Sequence, residues 1–121
     1  MPTHYEDLIV WQKSMTIAKK VYLLTKKLPE DERFGMISQM RRASVSIPSN
    51  IAEGHARSSS KKDFKHFLMI ARGSSAELDT QLKICLMVNL IHQDDYSDVS
   101  NLIEEVSKML YSLIQKISSS T

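Results

Sequence analysis

The residues of this chain most able to do chemistry are cations: Arg41, Arg42, Arg57, Lys61, Lys62, Lys65 and Arg72. Clustered in space, such side chains neutralise phosphates and release counterions, the sequence-independent part of nucleic-acid binding. The densest group, Arg57 to Lys65, encloses the serine run Ser58 to Ser60, whose hydroxyls and following helix-start amides can hold phosphate oxygens. Arg41, Arg42 and Arg72 would extend this patch if their helices pack as neighbours. A second set, Arg42, Ser46, Asn50 and Glu53 with Glu77, reads as a polar network, paired within one chain or between copies. No interleaved aromatics suggest base stacking, so backbone or shape recognition of RNA or DNA is the expectation.

Other chemistries find little support. A di-iron bundle needs paired Glu-x-x-His motifs on facing helices, and the nearest spacing, Asp63 to His66, has no second copy. His4, His55, His66 and His92 are scattered, and Cys85 lacks the sequence context of a nucleophile. Phosphate-binding glycine loops are missing. The expectation is therefore a non-enzyme with no metal, no cofactor and no small-molecule substrate.

The stretch QMRRASVSIPSNIAEG, Gln39 to Gly54, organises the elements that must position these residues. Ile37, Met40, Ser44, Ile47 and Ile51 are spaced by threes and fours, which places them on one helical face. Arg42, Ser46, Ser49 and Glu53 form a polar stripe roughly opposite, with Gln39 and Asn50 at its margin. Pro48 lacks an amide donor, so a kink is expected near Ile47. A first helix, opened by a Thr3/Glu6 capping box, carries two apolar seams, Leu8, Trp11, Met15, Ala18 and Tyr22, then Val10, Ile17, Val21, Leu24 and Leu28. In a third helix, capped by Ser60 and Asp63, Phe64, Phe67, Leu68, Ala71, Ser75, Leu78, Leu82, Cys85 and Leu86 form the core face, and the small residues of ARGSSAE predict the tightest crossing there. A flanking stripe contains Ile70, Gly73, Ile84, Val88 and Ile91 around an out-of-place Glu77, which either pairs with Arg41 or Arg42 or reaches solvent. A fourth helix, capped by Asp94 or Asp95, repeats apolar residues from Val99 to Ile117.

Helices over about 5–28, 30–56, 60–90 and 95–117, with a frayed tail at 118–121, predict an all-α fold: one domain over 1–121, an antiparallel up-down-up-down four-helix bundle with its second helix kinked near Pro48. The 121 residues are 42% hydrophobic and 25% charged, a globular helical balance. One cysteine suits a reducing compartment, and neither a basic-apolar leader in MPTHYEDLIV nor a bilayer-length apolar run is present, so the expectation is a cytoplasmic protein that does not enter membranes. The net charge of +2 is unevenly spread: residues 1–29 carry five lysines against two acids, and 93–121 carry two basic residues against five acids.

The runs YEDLIVWQKSM, QMRRASVSIPSNIAEG and DFKHFLMIARGSSAELDTQL, with Lys108 to Ile114, together resemble the small proteins encoded by intervening sequences within bacterial 23S ribosomal RNA genes. The resemblance covers nearly the whole chain. It implies an antiparallel four-helix bundle that assembles with itself into a ring-shaped pentamer, and a fold similar to the basic, nucleic-acid-binding accessory protein of diversity-generating retroelements. It also implies an RNA-associated protein rather than an enzyme. The slight net charge departs from the retroelement branch. A scaffold that contacts other proteins without nucleic acid is the alternative.

Overall fold

A computed structural model describes residues 2–119 and is helical throughout its regular structure. Four α-helices carry it: α1 (Ile9–Thr25), α2 (Ser38–Ala56), α3 (Lys61–Met87) and α4 (Gln93–Ser119). Ile17, Val21, Met40, Ile47, Ile51, Leu68, Leu78, Leu82, Val106 and Leu110 are almost completely removed from solvent and form one core between the four. Each such side chain contributes about 1.5–3 kcal/mol of burial. The core faces of α2 and α3 are those given by the period of three and four, including the buried serines Ser44 and Ser75, which satisfy their hydroxyls on the carbonyls of Arg41 and Ala71.

Contacts between neighbours climb one helix as they descend the next, so the helices run antiparallel. Lys13 meets Glu105 at 2.7 Å and Lys20 meets Asp98 at 2.8 Å across α1 and α4. Ser46 meets Ser74 at 2.8 Å and Arg42 meets Glu77 at 3.0 Å across α2 and α3. Ser100 donates to Asp79 across α4 and α3 at 3.1 Å, and Arg72 lies over the Tyr111 ring at the other end of that pair. The chain is an all-α, up-down-up-down bundle.

Several local expectations are corrected. The second helix passes through Pro48 as one continuous α-helix; the non-helical residue is Gly35 (φ −107°, ψ −106°), in a wide turn over Arg33–Ile37 that joins the short 3-10 turn Glu30–Glu32 to α2. The Thr3/Glu6 box does not form. His4 caps a separate 3-10 turn, its Nδ1 accepting from the Glu6 amide at 3.3 Å, and α1 starts only after Leu8. Ser60 does cap α3, accepting from the Asp63 amide at 3.2 Å. That helix stops at Met87 rather than Leu90 because Asn89 adopts the left-handed conformation (φ 64°). Leu90 then donates to the Cys85 carbonyl and Asn89 to the Leu86 carbonyl, the paired bonds of a Schellman cap. Asp94 and Asp95 lie in the first turn of α4, where they complement its dipole without being its cap. Ser118 and Ser119 continue α4, and the remainder of the predicted frayed tail, 120–121, lies outside the described residues.

Of the two glycines on α2 and α3, the one in close contact with the neighbouring helix is Gly54, not the Gly73 of ARGSSAE. A Cβ on Gly54 would stand 3.1 Å from the Phe67 Cβ and 3.2 Å from the Phe64 carbonyl oxygen, whereas one on Gly73 would meet nothing within 4 Å. Gly73 faces outward and Gly54 inward.

Candidate nucleic-acid interface

Arg57, Lys61, Lys62 and Lys65 come together where α2 hands over to α3. Arg57 follows the last residue of α2, its guanidinium 3.2 Å from Glu53 and 5.2 Å above the Phe67 ring. Lys61 and Lys62 are exposed on the first turn of α3, and Lys65 is half-buried one turn on. The amino-terminal segment reaches this end of the bundle too, since the Pro2 carbonyl accepts from the nearly buried His55 ring at 2.7 Å. A carbonyl only accepts, so His55 carries its proton on Nε2.

The other three cations leave the patch, each drawn to a different neighbour. Arg41 points at α1: its Nε donates to the buried Thr25 hydroxyl at 2.9 Å and its guanidinium lies 4.7 Å over Tyr22. Arg42 pairs with Glu77 on the outer edge of α2 and α3, with side chains 65% and 41% exposed. Glu77 is thus half in water and paired as well, and an exposed pair of this kind contributes about 0.2–1 kcal/mol. Arg72 faces α4, 4.8 Å over Tyr111. The expected single surface of seven cations does not form; a four-cation turn does.

The polar stripe of α2 is spent largely inside the chain. Ser46 bonds Ser74, the Asn50 amide donates to the Ser46 carbonyl and hydroxyl at 2.8 Å and 2.9 Å, and Glu53 holds Arg57. Together with Arg42 and Glu77, these residues form a ladder of polar contacts along one edge. Farther along that edge Gln81 is nearly buried, and its Oε1 has no hydrogen-bond partner within the described residues.

Two surfaces escaped the sequence reading. The outward face of α3 carries Met69, Ile70, Ile84, Met87 and Val88, exposed by between 38% and 74%; the flanking apolar stripe signalled part of it. Between α3 and α4 runs a groove of about 830 Å³ with Arg72 and Tyr111 at one end and Lys83 and Tyr96 at the other. The Asp79 carboxylate, bonded to Lys83 at 3.0 Å, holds that ammonium above the ordinary lysine value, with a further contribution from Tyr96. Tyr111 sits on the expected helix but off its apolar period, whereas Tyr96 extends that period one step before Val99 and packs partly against the core; only the cross-helix placement of Arg72 and Lys83 brings the two into a site. Cys85 is core, its Sγ 3.7 Å from the Met40 sulfur, and burial pushes its thiol above the usual value. Among the described residues no cluster of three or more His, Cys, Asp or Glu could hold a metal, and no helix is long and apolar enough to cross a membrane.

The family pattern of the 23S rRNA-intervening sequence proteins matches residues 6–112, which includes α1, α2, α3, most of α4 and every candidate residue above. The chain belongs to this family. A crystal structure from Bacteroides thetaiotaomicron, of a protein described as having unknown function and belonging to the S23 ribosomal protein family, is similar to this 23S rRNA-intervening sequence protein at 30% identity. The likeness covers 88% of this chain and 98% of that one, with a TM-score of 0.81. No curated protein matches the chain. The helical fold of the family and that of this chain therefore agree, and neither points to a catalytic family.

Proposed function

We propose that this chain is a non-enzymatic, self-associating helical bundle that binds RNA through the end where α2 meets α3. One observation supports this reading above others: charge is sorted along the bundle axis. Arg57, Lys61, Lys62 and Lys65, with Lys116 of α4, collect at the end where α1 begins, against Glu6, Asp7, Glu53 and Asp63. Glu30, Asp31, Glu32, Asp94, Asp95 and Asp98 collect at the opposite end against Lys20, Lys26, Lys27 and Arg33. A net charge of +2 conceals this polarity. In a cyclic assembly, a pentamer by the family resemblance, every copy turns the same end to the same side. A modest patch of four cations is then repeated around a ring, and repetition multiplies weak contacts into avidity. The outward apolar stripe of α3 supports the self-association.

Fluorescence anisotropy with a labelled structured RNA over a range of salt, on protein of known mass, tests the reading. Affinity falls linearly in log salt, and charge reversal in Lys61→Glu/Lys62→Glu lowers the slope by about 1.5 to 2 per bound copy. Absence of binding at low salt overturns it. A second reading, a protein-binding scaffold that takes no nucleic acid, is favoured by the occupation of Arg41, Arg42 and Arg57 within the chain and by Met87 and Val88, which are 74% and 54% exposed. That reading predicts unchanged mass and partner binding in the charge-reversed variant.

A further inference from the structure

We infer that the groove between α3 and α4 is a second RNA site, which takes a short single strand with its bases turned inward. The inference rests on the RNA-binding reading above and names a different surface and a different form of RNA.

The groove exists because both helices present small residues to it. Ser75 and Ala76 on α3 oppose Ser100 and Ser107 on α4, leaving an open trough where larger side chains would have met. At each end stands a cation beside a tyrosine. The Arg72 guanidinium lies 4.8 Å over the face of Tyr111, and Lys83 lies close enough to Tyr96 to be influenced by it. Eleven residues of α3 separate Arg72 from Lys83, a span of roughly 16 Å at the rise of an α-helix, so the two ends are positioned to grip a strand rather than one small molecule.

The charges in the trough suit bases better than phosphates. Asp79 and Glu104 lie along it, and each already holds a lysine one turn away, Lys83 at 3.0 Å and Lys108 at 3.1 Å. Buried phosphates would be repelled by these carboxylates, whereas the exocyclic amines of cytosine or adenine are donors that carboxylates accept. Unlike Arg42 and Arg57, Arg72 forms no ion pair with a carboxylate among the described residues; its contact is with a ring. Its guanidinium plane and donors remain available for a base to stack on and a phosphate to bind. Unstacked bases of single-stranded RNA are held on aromatic and guanidinium planes in this manner, and a duplex, whose bases are stacked and paired, cannot enter. The strand therefore lies with bases on Tyr111 and Tyr96 and with its backbone along Arg72, Lys83 and Lys108 at the rim.

Labelled single-stranded hexacytidylate and a labelled RNA hairpin, titrated in parallel against wild type, Tyr111→Ala, Tyr111→Phe, Tyr96→Ala and Lys61→Glu/Lys62→Glu, test this. Tyr111 is 47% exposed, so its truncation leaves the core intact, and circular dichroism confirms the helices in each variant. The expected result is that Tyr111→Ala weakens hexacytidylate on the order of 10-fold, that Tyr111→Phe binds like wild type, and that hairpin affinity is unchanged in both. Hexacytidylate affinity unaffected by Tyr111→Ala and Tyr96→Ala overturns the groove while leaving the basic turn standing. So does hairpin binding by a wild-type protein that ignores the single strand. If neither RNA binds wild type, the groove and the basic turn fall together.

Discussion

Helix α3 packs against two neighbours in opposite ways, and the contrast explains where this protein keeps its stability and where it keeps usable surface. Towards α2 the contact is tight: Gly54 sits against Phe64 and Phe67, and Ser46 bonds Ser74 directly at 2.8 Å. Towards α4, Ser75, Ala76, Ser100 and Ser107 are as small, yet an open groove of about 830 Å³ remains. Small residues alone therefore do not draw helices together. On the α2 side, Gly54 receives Phe64 and Phe67, which interlock with it as ridges into grooves, and the small pair Ser46 and Ser74 is drawn together by its hydroxyl bond. On the α4 side small faces small, and the large residues, Tyr96 and Tyr111, stand at the ends. The first arrangement uses apolar packing to hold the bundle, and the second leaves polar and aromatic groups facing water.

The sharpest way to break the tight side is Gly54→Val. Its Cβ would already crowd the Phe64 carbonyl oxygen at 3.2 Å, and backbone within a helix does not yield as a side-chain tip would. A destabilisation of about 1–3 kcal/mol is expected from overpacking, read as a lowered midpoint in urea unfolding. A midpoint equal to wild type would mean that α2 and α3 can part at no cost, and the contrast would fail. Ser74→Ala comes next. It removes the nearly buried half of a direct hydroxyl pair and leaves the half-buried Ser46 hydroxyl only the Asn50 amide as partner, at a loss of about 1 kcal/mol; adding Ser46→Ala should restore part of that loss, which a double-mutant cycle would detect. Gly73→Ala has the opposite sign. Open space surrounds its position, so removing a flexible residue from an exposed helix interior should stabilise by about 0.5–1 kcal/mol. Equal effects at Gly54 and Gly73 would show that the model of one packed and one free face is wrong.

The two glycines also show how far the sequence could be read. Periodicity identified the helical class, the core faces of α2 and α3 and the Ser60 cap, because each depends on spacing within one element. It also named Arg42 as one of two partners for Glu77. Gly54 and Gly73 are alike in local sequence terms, each within a helical run, and only the neighbouring helix distinguishes them. Pro48 led to the wrong place for a break for a related reason: proline's local penalty is real, but α2, with Met40, Ile47 and Ile51 buried on one face, continues as α-helix through it, and the non-helical backbone falls at Gly35 instead. Arg57 to Lys65 were read as a cluster because they are near in sequence, and Arg41, Arg42 and Arg72 were to extend it only if their helices packed as neighbours. Arg41, Arg42 and Arg72 lie on three different sides of their helices, a consequence of 100° per residue that becomes visible only once each side has a neighbour. Tyr96 and Tyr111, fifteen residues apart on α4, gained meaning only from the cations that α3 sets beside them.

The smallest expected effect sharpens the comparison most economically, because it concerns the edge that the two faces of α3 share. Glu77 and Arg42 are paired at 3.0 Å but remain 41% and 65% exposed. In an isolated bundle, water screens this pair, and Glu77→Gln, which keeps the shape and one acceptor, should change stability by less than about 0.5 kcal/mol. The outward apolar stripe of α3 passes beside Glu77, however, through Ile70 and Ile84. A second copy seated on that stripe would remove the pair from water, and breaking a desolvated pair leaves an uncompensated charge, with a loss of about 3–5 kcal/mol. Thermal unfolding of wild type and Glu77→Gln at several protein concentrations separates the cases. A small, concentration-independent difference means that the edge is open to solvent. A large difference that grows with concentration, accompanied by a lower mass in light scattering for Glu77→Gln, means that the apolar face of α3 is covered by another copy.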